Sequence, residues 1–266
     1  LSYLNLGQIE DAESKDPLLY SAATLIKHEV LSSDEIIDLY ENCRKRISYV
    51  FDQATLKPKL DKASDVMESI IPKNIRTSVP ALPNEDKRKK LFGKDYNRLN
   101  RPASMAKLIN YALSDIMLQF DNALIFGEDV AKKGGVYYVT AGLYEQFSIR
   151  RVFNSPLDET SILGFASGLA HNGFLPIPEI QFLAYFHNAE DQLRGEAATL
   201  SFFSNSQYTN PMIIRIAGLA YQKGFGGHFH NDNSLSIFRD IPGVLVACPS
   251  NGVDAVKMLR TAAKHA

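Results

Sequence analysis

From residue 104 to the end of the chain, short apolar runs alternate with longer stretches whose apolar residues recur every three or four positions, and this alternation restricts the fold more than any other feature. Short runs bounded by turn residues read as strands, and the 3.6-residue period reads as helix. Ser104 can cap a helix carrying the stripe Met105, Leu108, Ile109, Ala112, Leu113, Ile116, Met117 and Phe120. Strands are expected at 123–126, 151–154, 175–181, 211–217 and 244–248, and helices near 141–147, 158–172, 186–203 and 253–263. The alternation predicts an α/β fold, a doubly wound parallel sheet with helices on both faces. In such sheets ligands bind beyond the carboxyl ends of the strands. That rule places Glu128, residues 154–159, residues 181–185 and residues 218–230 on one rim.

Upstream the pattern is different. Residues 1–15 read as irregular, and helical periodicity starts after Asp16-Pro17. Ser32-Ser33-Asp34-Glu35 has the form of a capping box, followed by a helix with Ile36, Ile37, Tyr40, Cys43, Ile47, Val50, Phe51 and Ala54 on one face. Two amphipathic helices cannot bury their apolar faces alone and must dock on something. Pro58, Pro72, Pro80, Pro83 and Pro102 then punctuate a linker with a short helix near 62–70, and the charge run Glu85-Asp86-Lys87-Arg88-Lys89-Lys90 reads as a solvated loop. The expected organisation is an N-terminal helical appendage at 1–60, a linker at 61–103 and an α/β domain at 104–266.

Composition narrows the chemistry. A net charge of −1 gives no reason to expect nucleic acid or an anionic membrane as a partner. No apolar run approaches the ~18–20 residues that span a bilayer, and no secretory signal opens the chain. Cys43 and Cys248 fit buried thiols in a reducing compartment, and neither they nor the six histidines show metal-ligand spacing, so no metal site is expected. A start at Leu1 and a stop at Ala266 within a helical pattern suggest a piece of a longer polypeptide.

The stretch Phe153-Asn154-Ser155-Pro156-Leu157-Asp158-Glu159 reads as a strand end, a proline turn and a helix start. The helix contains Gly164, Ala166, Ser167, Gly168 and Ala170; each glycine costs about 1 kcal/mol relative to alanine, so close approach by another helix or a ligand is expected to compensate. Glu159 stands in the first turn, where an acidic residue commonly serves only to complement the helix dipole. Between Leu157 and Phe165 its carboxyl would be desolvated, which favours the protonated form. No phosphate-binding loop, nucleophile elbow or zinc motif is present, and Gly224-Phe225-Gly226-Gly227-His228 is misplaced for a dinucleotide fingerprint. A carboxylate, an amide, an aromatic ring and a histidine remain on the rim, a set suited to binding a heterocycle and moving protons through it.

These motifs carry a resemblance. Gly127-Glu128-Asp129-Val130-Ala131 with Gly134-Gly135-Val136, then Val152-Phe153-Asn154-Ser155-Pro156-Leu157-Asp158-Glu159, Gly164-Phe165-Ala166-Ser167-Gly168-Leu169-Ala170, Glu179-Ile180-Gln181-Phe182 with Asp191-Gln192, and the glycine loop ending in His230 occur in this order. Together they resemble the pyrimidine-binding domain of thiamine diphosphate enzymes, a transketolase-like fold. More narrowly, they resemble the beta half of the decarboxylating first component of 2-oxo acid dehydrogenase complexes. Residues 16–60 resemble the C-terminal helices of the alpha half, which implies a fused alpha/beta polypeptide.

The resemblance implies that Glu159 hydrogen-bonds a ring nitrogen of the aminopyrimidine and favours the imino tautomer that takes the thiazolium proton. It implies that Leu157 packs under the bent cofactor, that Tyr185 stacks on or edges the pyrimidine with Gln181 close by, and that His230 orients or protonates a substrate-derived intermediate. From residue type alone, Tyr185 as core, Gln181 as a strand-end cap and His230 as a loop brace stay open. The cofactors implied are thiamine diphosphate and magnesium, the magnesium ligands lying outside this chain. Implied partners are a 2-oxo acid, the lipoyl domain of an acyltransferase and further subunits in a homo-oligomer or alpha/beta-like assembly. Glu179-Ile180-Gln181-Phe182 leans towards branched-chain substrates over pyruvate, with Phe186, His187 and Asn188 departing from the usual pattern and expected on the substrate side. Transketolase-like or acetoin activity, or a non-catalytic assembly module, are the rivals. A bacterial cytoplasm is the expected compartment, a mitochondrial matrix the alternative.

Overall fold

In the computed structural model, which describes residues 5–70, 79–219 and 223–266, the chain divides into two units, Leu1–Asp61 and Lys62–Ala266. Residues 1–4, Pro72 of the linker and residues 220–222 of the rim loop lie outside the described residues.

The first unit holds α1 (Leu6–Ser14), α2 (Pro17–Lys27) and α3 (Ser33–Thr55). The expectation of an irregular start is corrected: Asn5 and Gln8 form a reciprocal capping box that starts α1. Asp16 caps α2 through Leu18 N at 2.7 Å, and Ser32 with Glu35 forms the expected box on α3. No residue of these helices is buried. Leu18, Tyr40, Ile47 and Phe51 are between 59% and 68% exposed, so the apolar stripes have found no core within this unit. Cys43 is exposed, as is Cys248 in the second unit, which corrects the expectation of buried thiols.

The second unit begins with α4 (Ala63–Ile70) and α5 (Glu85–Phe92), followed by a 3₁₀ segment, Gly93–Arg98. The charge run expected as a solvated loop is thus α5. Asn84 caps it, with Glu85 and Asp86 in its first turn and Lys89 and Lys90 in its last, as the helix dipole favours. It lies against α6 (Met105–Gln119), where Arg88 makes a bidentate pair with Asp115 at 2.8 and 3.0 Å. The Phe92 ring meets Tyr111 edge-on at 5.6 Å. The Asp115 side chain is only 6% exposed, and Arg260 reaches it at 3.7 Å. Arg88→Ala should therefore cost about 2–3 kcal/mol, less than a fully buried broken pair because Arg88 is partly exposed and Arg260 remains. The midpoint of urea unfolding measures this.

Ser104 caps α6 as expected, accepting from Lys107 N at 3.4 Å. Four described strands follow: β1 (Ala123–Gly127), β2 (Val152–Asn154), β3 (Leu175–Ile180) and β4 (Arg215–Ile216). They are parallel, in the order β2-β1-β3-β4. Alternate β1 side chains enter two cores, Ala123 and Ile125 on one face, Leu124 and Phe126 on the other. The first core is closed by α6, α7 (Leu143–Phe147) and the C-terminal helix, and the second by α8 (Glu159–His171) and the segments after β3. Those segments are the turns over Leu183–Ala189 and Gln192–Ala197 and the helix α11 (Ser236–Arg239), with α9 (Leu200–Phe203) and α10 (Gly227–His230) between them in the chain; the C-terminal helix is α12 (Gly252–His265). This is the doubly wound arrangement that the alternation predicts. No described helix is long and apolar enough to cross a membrane.

Three expected elements differ. The strand at 211–217 is reduced to Arg215–Ile216. Pro176 O accepts from Ile213 N, so the Pro176 and Pro178 nitrogens face the same edge, and neither has a hydrogen to donate to β4. Residues 244–248 form no strand, and Leu245 is 83% exposed: a two-residue β4 offers no ladder to pair with. The helix at 186–203 is instead a 3₁₀ segment, Leu183–Ala189, a π-helical turn, Gln192–Ala197, and α9.

Candidate active site

The parallel register aligns Gly127 of β1 with Asn154 of β2 and with Glu179 of β3, so the strand ends share one rim. A β-carbon at Gly127, where φ is +150°, would lie 2.6 Å from the Glu179 carbonyl, so only glycine allows the two strands to meet there. Asn154 Oδ1 accepts from Ala131 N at 2.9 Å and ties the loop after β1 to the end of β2.

Glu159 opens α8 at this rim and is 5% exposed. Asn188 Nδ2 donates to its Oε2 at 3.1 Å, and Thr160 Oγ1 donates to the Asn188 carbonyl at 2.6 Å. Among the described residues no hydrogen bond reaches Glu159 Oε1. Asp158 precedes the helix without capping it; its carboxylate accepts instead from Ser161 Oγ. The flanking residues expected to desolvate Glu159 do not enclose it, since Leu157 is 80% and Phe165 50% exposed.

Two further carboxylates of the rim are buried, Glu128 after β1, which feels the charge of Glu159, and Glu179 in β3. Glu179 Oε2 accepts from Arg215 at 2.6 Å. Among the described residues, Glu128 Oε1 and Glu179 Oε1 have no partner. Burial pushes the Glu128 carboxyl above the ordinary carboxylate range, and the negative charges of Glu159, Asp129 and Glu179 push it the same way. The folded state therefore holds this proton more tightly than the unfolded one. Its stabilising contribution is complete below the unfolded carboxylate value and disappears as pH rises through the folded value. Glu128→Gln should raise the melting temperature at about pH 8 and lose that advantage towards about pH 5, as read by thermal unfolding across pH.

Tyr185 lies three residues before Asn188 on the same 3₁₀ segment. Its ring is 6.2 Å from Phe182, 6.0 Å from His230 and 6.4 Å from Phe229, and His230 is 4.3 Å from Phe182 and 4.8 Å from Phe225. His230 Nδ1 lies 3.1 Å from the Gly226 carbonyl. A carbonyl only accepts, so Nδ1 is the donor in this contact and Nε2 is the ring nitrogen left for other partners. Gly226, with φ +68°, makes room for this: a β-carbon there would stand 1.9 Å from Nδ1.

The rim thus joins Glu159 to the 3₁₀ segment that bears Tyr185, and joins Tyr185 to His230. Gln181 follows β3 half-buried, while Leu157 stands open beside the site. Phe186 is corrected to a core residue: it is fully buried against Phe238 at 4.6 Å. Sequence reasoning gave Asn188 no specific partner and Glu128 no chemistry. The position of Glu128 directly after an apolar strand was the available signal for it; for Asn188 the signal was its departure, with Phe186 and His187, from the family pattern, which placed it on the substrate side without naming Glu159 as its partner. The close approach expected at Gly164 and Gly168 does not occur among the described residues, where a β-carbon at either would meet nothing within 4 Å.

The donor set fits one half of thiamine diphosphate. A buried carboxyl with a free oxygen can share a proton with a ring nitrogen, and aromatic side chains stand beside it to contact a flat heterocycle. Among the described residues no group of three or more His, Cys, Asp or Glu could hold a metal ion.

Residues 101–266 match the family model described as "Transketolase, pyrimidine binding domain". The beta subunit of 2-oxoisovalerate dehydrogenase from Bacillus subtilis (strain 168) is 37% identical over 157 residues, covering 59% of this chain and 47% of that subunit. The 3-methyl-2-oxobutanoate dehydrogenase subunit beta of Mycobacterium tuberculosis is 38% identical over 165 residues, covering 62% and 47%. A pyruvate dehydrogenase E1 component subunit beta of Staphylococcus aureus is 39% identical over 161 residues, covering 59% and 47%. The chain therefore spans about half the length of these relatives. With the matched region covering the whole sheet and its rim, the chain belongs to the transketolase pyrimidine-binding domain family.

Proposed function

We propose that this chain forms the pyrimidine-facing wall of a thiamine diphosphate-dependent first component of a 2-oxo acid dehydrogenase. The observation that carries the reading is Glu159, a buried carboxyl at a helix start on the strand rim, held among the described residues through one oxygen only. The names of its relatives support the same reaction class. When bound, thiamine diphosphate supplies the nucleophilic carbon and electron sink for decarboxylation. Glu159 Oε1 shares a proton with the aminopyrimidine nitrogen. Tyr185 and Phe182 cover the ring and exclude water, Gln181 contributes a polar contact at its edge, and Leu157 contacts the cofactor from the open side. His230, with Nδ1 donating to the Gly226 carbonyl, offers Nε2 to the substrate as acceptor and, once protonated, as donor.

Magnesium and the diphosphate are held by residues outside this chain, in an alpha-type partner or an alpha-type segment of the same polypeptide. Residues 1–60 form the helical end of that alpha half, residues 61–103 the junction, and residues 104–266 the pyrimidine-binding domain. The acyl group passes to a lipoyl domain of an acyltransferase, in a bacterial cytoplasm. Glu179-Ile180-Gln181-Phe182 supports a branched-chain 2-oxo acid, and relatives of both substrate types match at similar identity. Assay of the holoenzyme with 2-oxoisovalerate, pyruvate and acetoin tests this: a higher kcat/KM for 2-oxoisovalerate is expected. Preference for acetoin would overturn the reaction class, and preference for pyruvate would overturn the branched-chain assignment.

A further inference from the structure

Asn188 holds two hydrogen bonds to the first turn of α8 from a segment 29 positions away. Its side-chain Nδ2 donates to Glu159 Oε2 at 3.1 Å, and its main-chain carbonyl accepts from Thr160 Oγ1 at 2.6 Å. The usual local device is missing, because Asp158 makes no side-chain cap to the helix. The second bond has a structural cost: a carbonyl engaged by Thr160 sits where the expected continuous helix gives way to 3₁₀ and π-helical turns.

We propose that Asn188 is a positioning residue that selects which oxygen of Glu159 handles the proton, occupying Oε2 with a donor and leaving Oε1 as the reactive atom. An amide N–H can only donate, so Oε2 can only accept, and a proton carried by Glu159 resides on Oε1. Thr160 fixes the backbone that aims the amide. This inference rests on the reading of Glu159 given above. Among the described residues, the ionisable groups facing Glu159 include Glu128 after β1, which also feels Asp129 and Glu179, with Asp158 at its own helix start and His187 beside Asn188. His187 stands 3.9 Å from Asp232. Substituting Asn188 leaves the identity of all of them unchanged.

The test needs no bound cofactor. In full-length apo protein labelled with carboxyl-¹³C glutamate, the Glu159 resonance is assigned by its loss in Glu159→Gln. Asn188→Ala removes a donor to the anion and should raise the Glu159 titration midpoint by about half a pH unit or more. Asn188→Asp replaces the donor with a charge and should raise it further. Thr160→Val should move it in the same direction by less. In the holoenzyme, Asn188→Ala should lower kcat about tenfold with little change in KM, and the acid limb of the pH profile should move with the midpoint. An unmoved midpoint in both Asn188 variants overturns the proposal. Because that titration is read without turnover, it remains decisive even if Glu159→Gln keeps its activity, the result that would instead remove the functional reading.

Discussion

Replacing Glu159 by glutamine in the holoenzyme lowers kcat by about 10²–10⁴-fold, the usual contribution of a positioned acid–base group. The substitution is nearly isosteric. The carboxamide oxygen can keep the bond from Asn188 Nδ2, so the start of α8 and its packing should survive. What disappears is the exchangeable proton at the second oxygen, because an amide does not titrate in this range. The melting temperature should hold, since no cavity opens and a buried ionisable group becomes neutral. Steady-state kinetics and thermal unfolding on the same preparation check both halves. Unchanged turnover would reduce Glu159 to a dipole-complementing residue and leave the chain as an assembly module.

Truncating Phe126 to alanine should be the most damaging single core change, at about 3–5 kcal/mol. Phe126 is fully buried near the carboxyl end of β1. Its ring stacks on Phe153 at 5.3 Å with an interplanar angle of 3°, and meets Phe165 edge-on at 5.3 Å. Removing it leaves a cavity between the sheet and α8, bordered by Phe153, Phe165, Ile162 and Leu163. For a unit of this size the loss corresponds to a fall in melting temperature of about 6–20 °C. Phe165→Ala, at a half-exposed position, should cost about 1 kcal/mol. Equal losses at the two positions would mean that the ring cluster does not have the asymmetry described.

Short-range features were legible from residue order. The Ser104 and Ser32–Glu35 caps, and the strands β1 and β3, follow from neighbours within four positions or from an apolar run of strand length. Glu159 was legible as well, because a proline turn between strand and helix fixes where the first helical turn begins. One local signal was missed, the Asn5–Gln8 box that starts α1; the other failures occurred where a partner is distant. Residues 244–248 have strand composition but no edge to join, and the proline nitrogens of β3 that shorten β4 act only once the strand order exists. The Arg88–Asp115 pair turns an apparent solvated charge run into a docked helix across 27 positions.

Residue order by itself determined the α/β class, the strand-end rim and the carboxyl at its helix start, because periodicity, caps and proline turns act locally on the backbone. Only the tertiary structure decided which groups meet on that rim. Glu128 gains its raised proton affinity from burial and from the charges of Glu159 and Glu179, and Asn188 meets Glu159 through a fold-dependent hydrogen bond. Desolvation and electrostatic coupling depend on distance in space, and a linear pattern holds no record of that distance until the sheet has assembled.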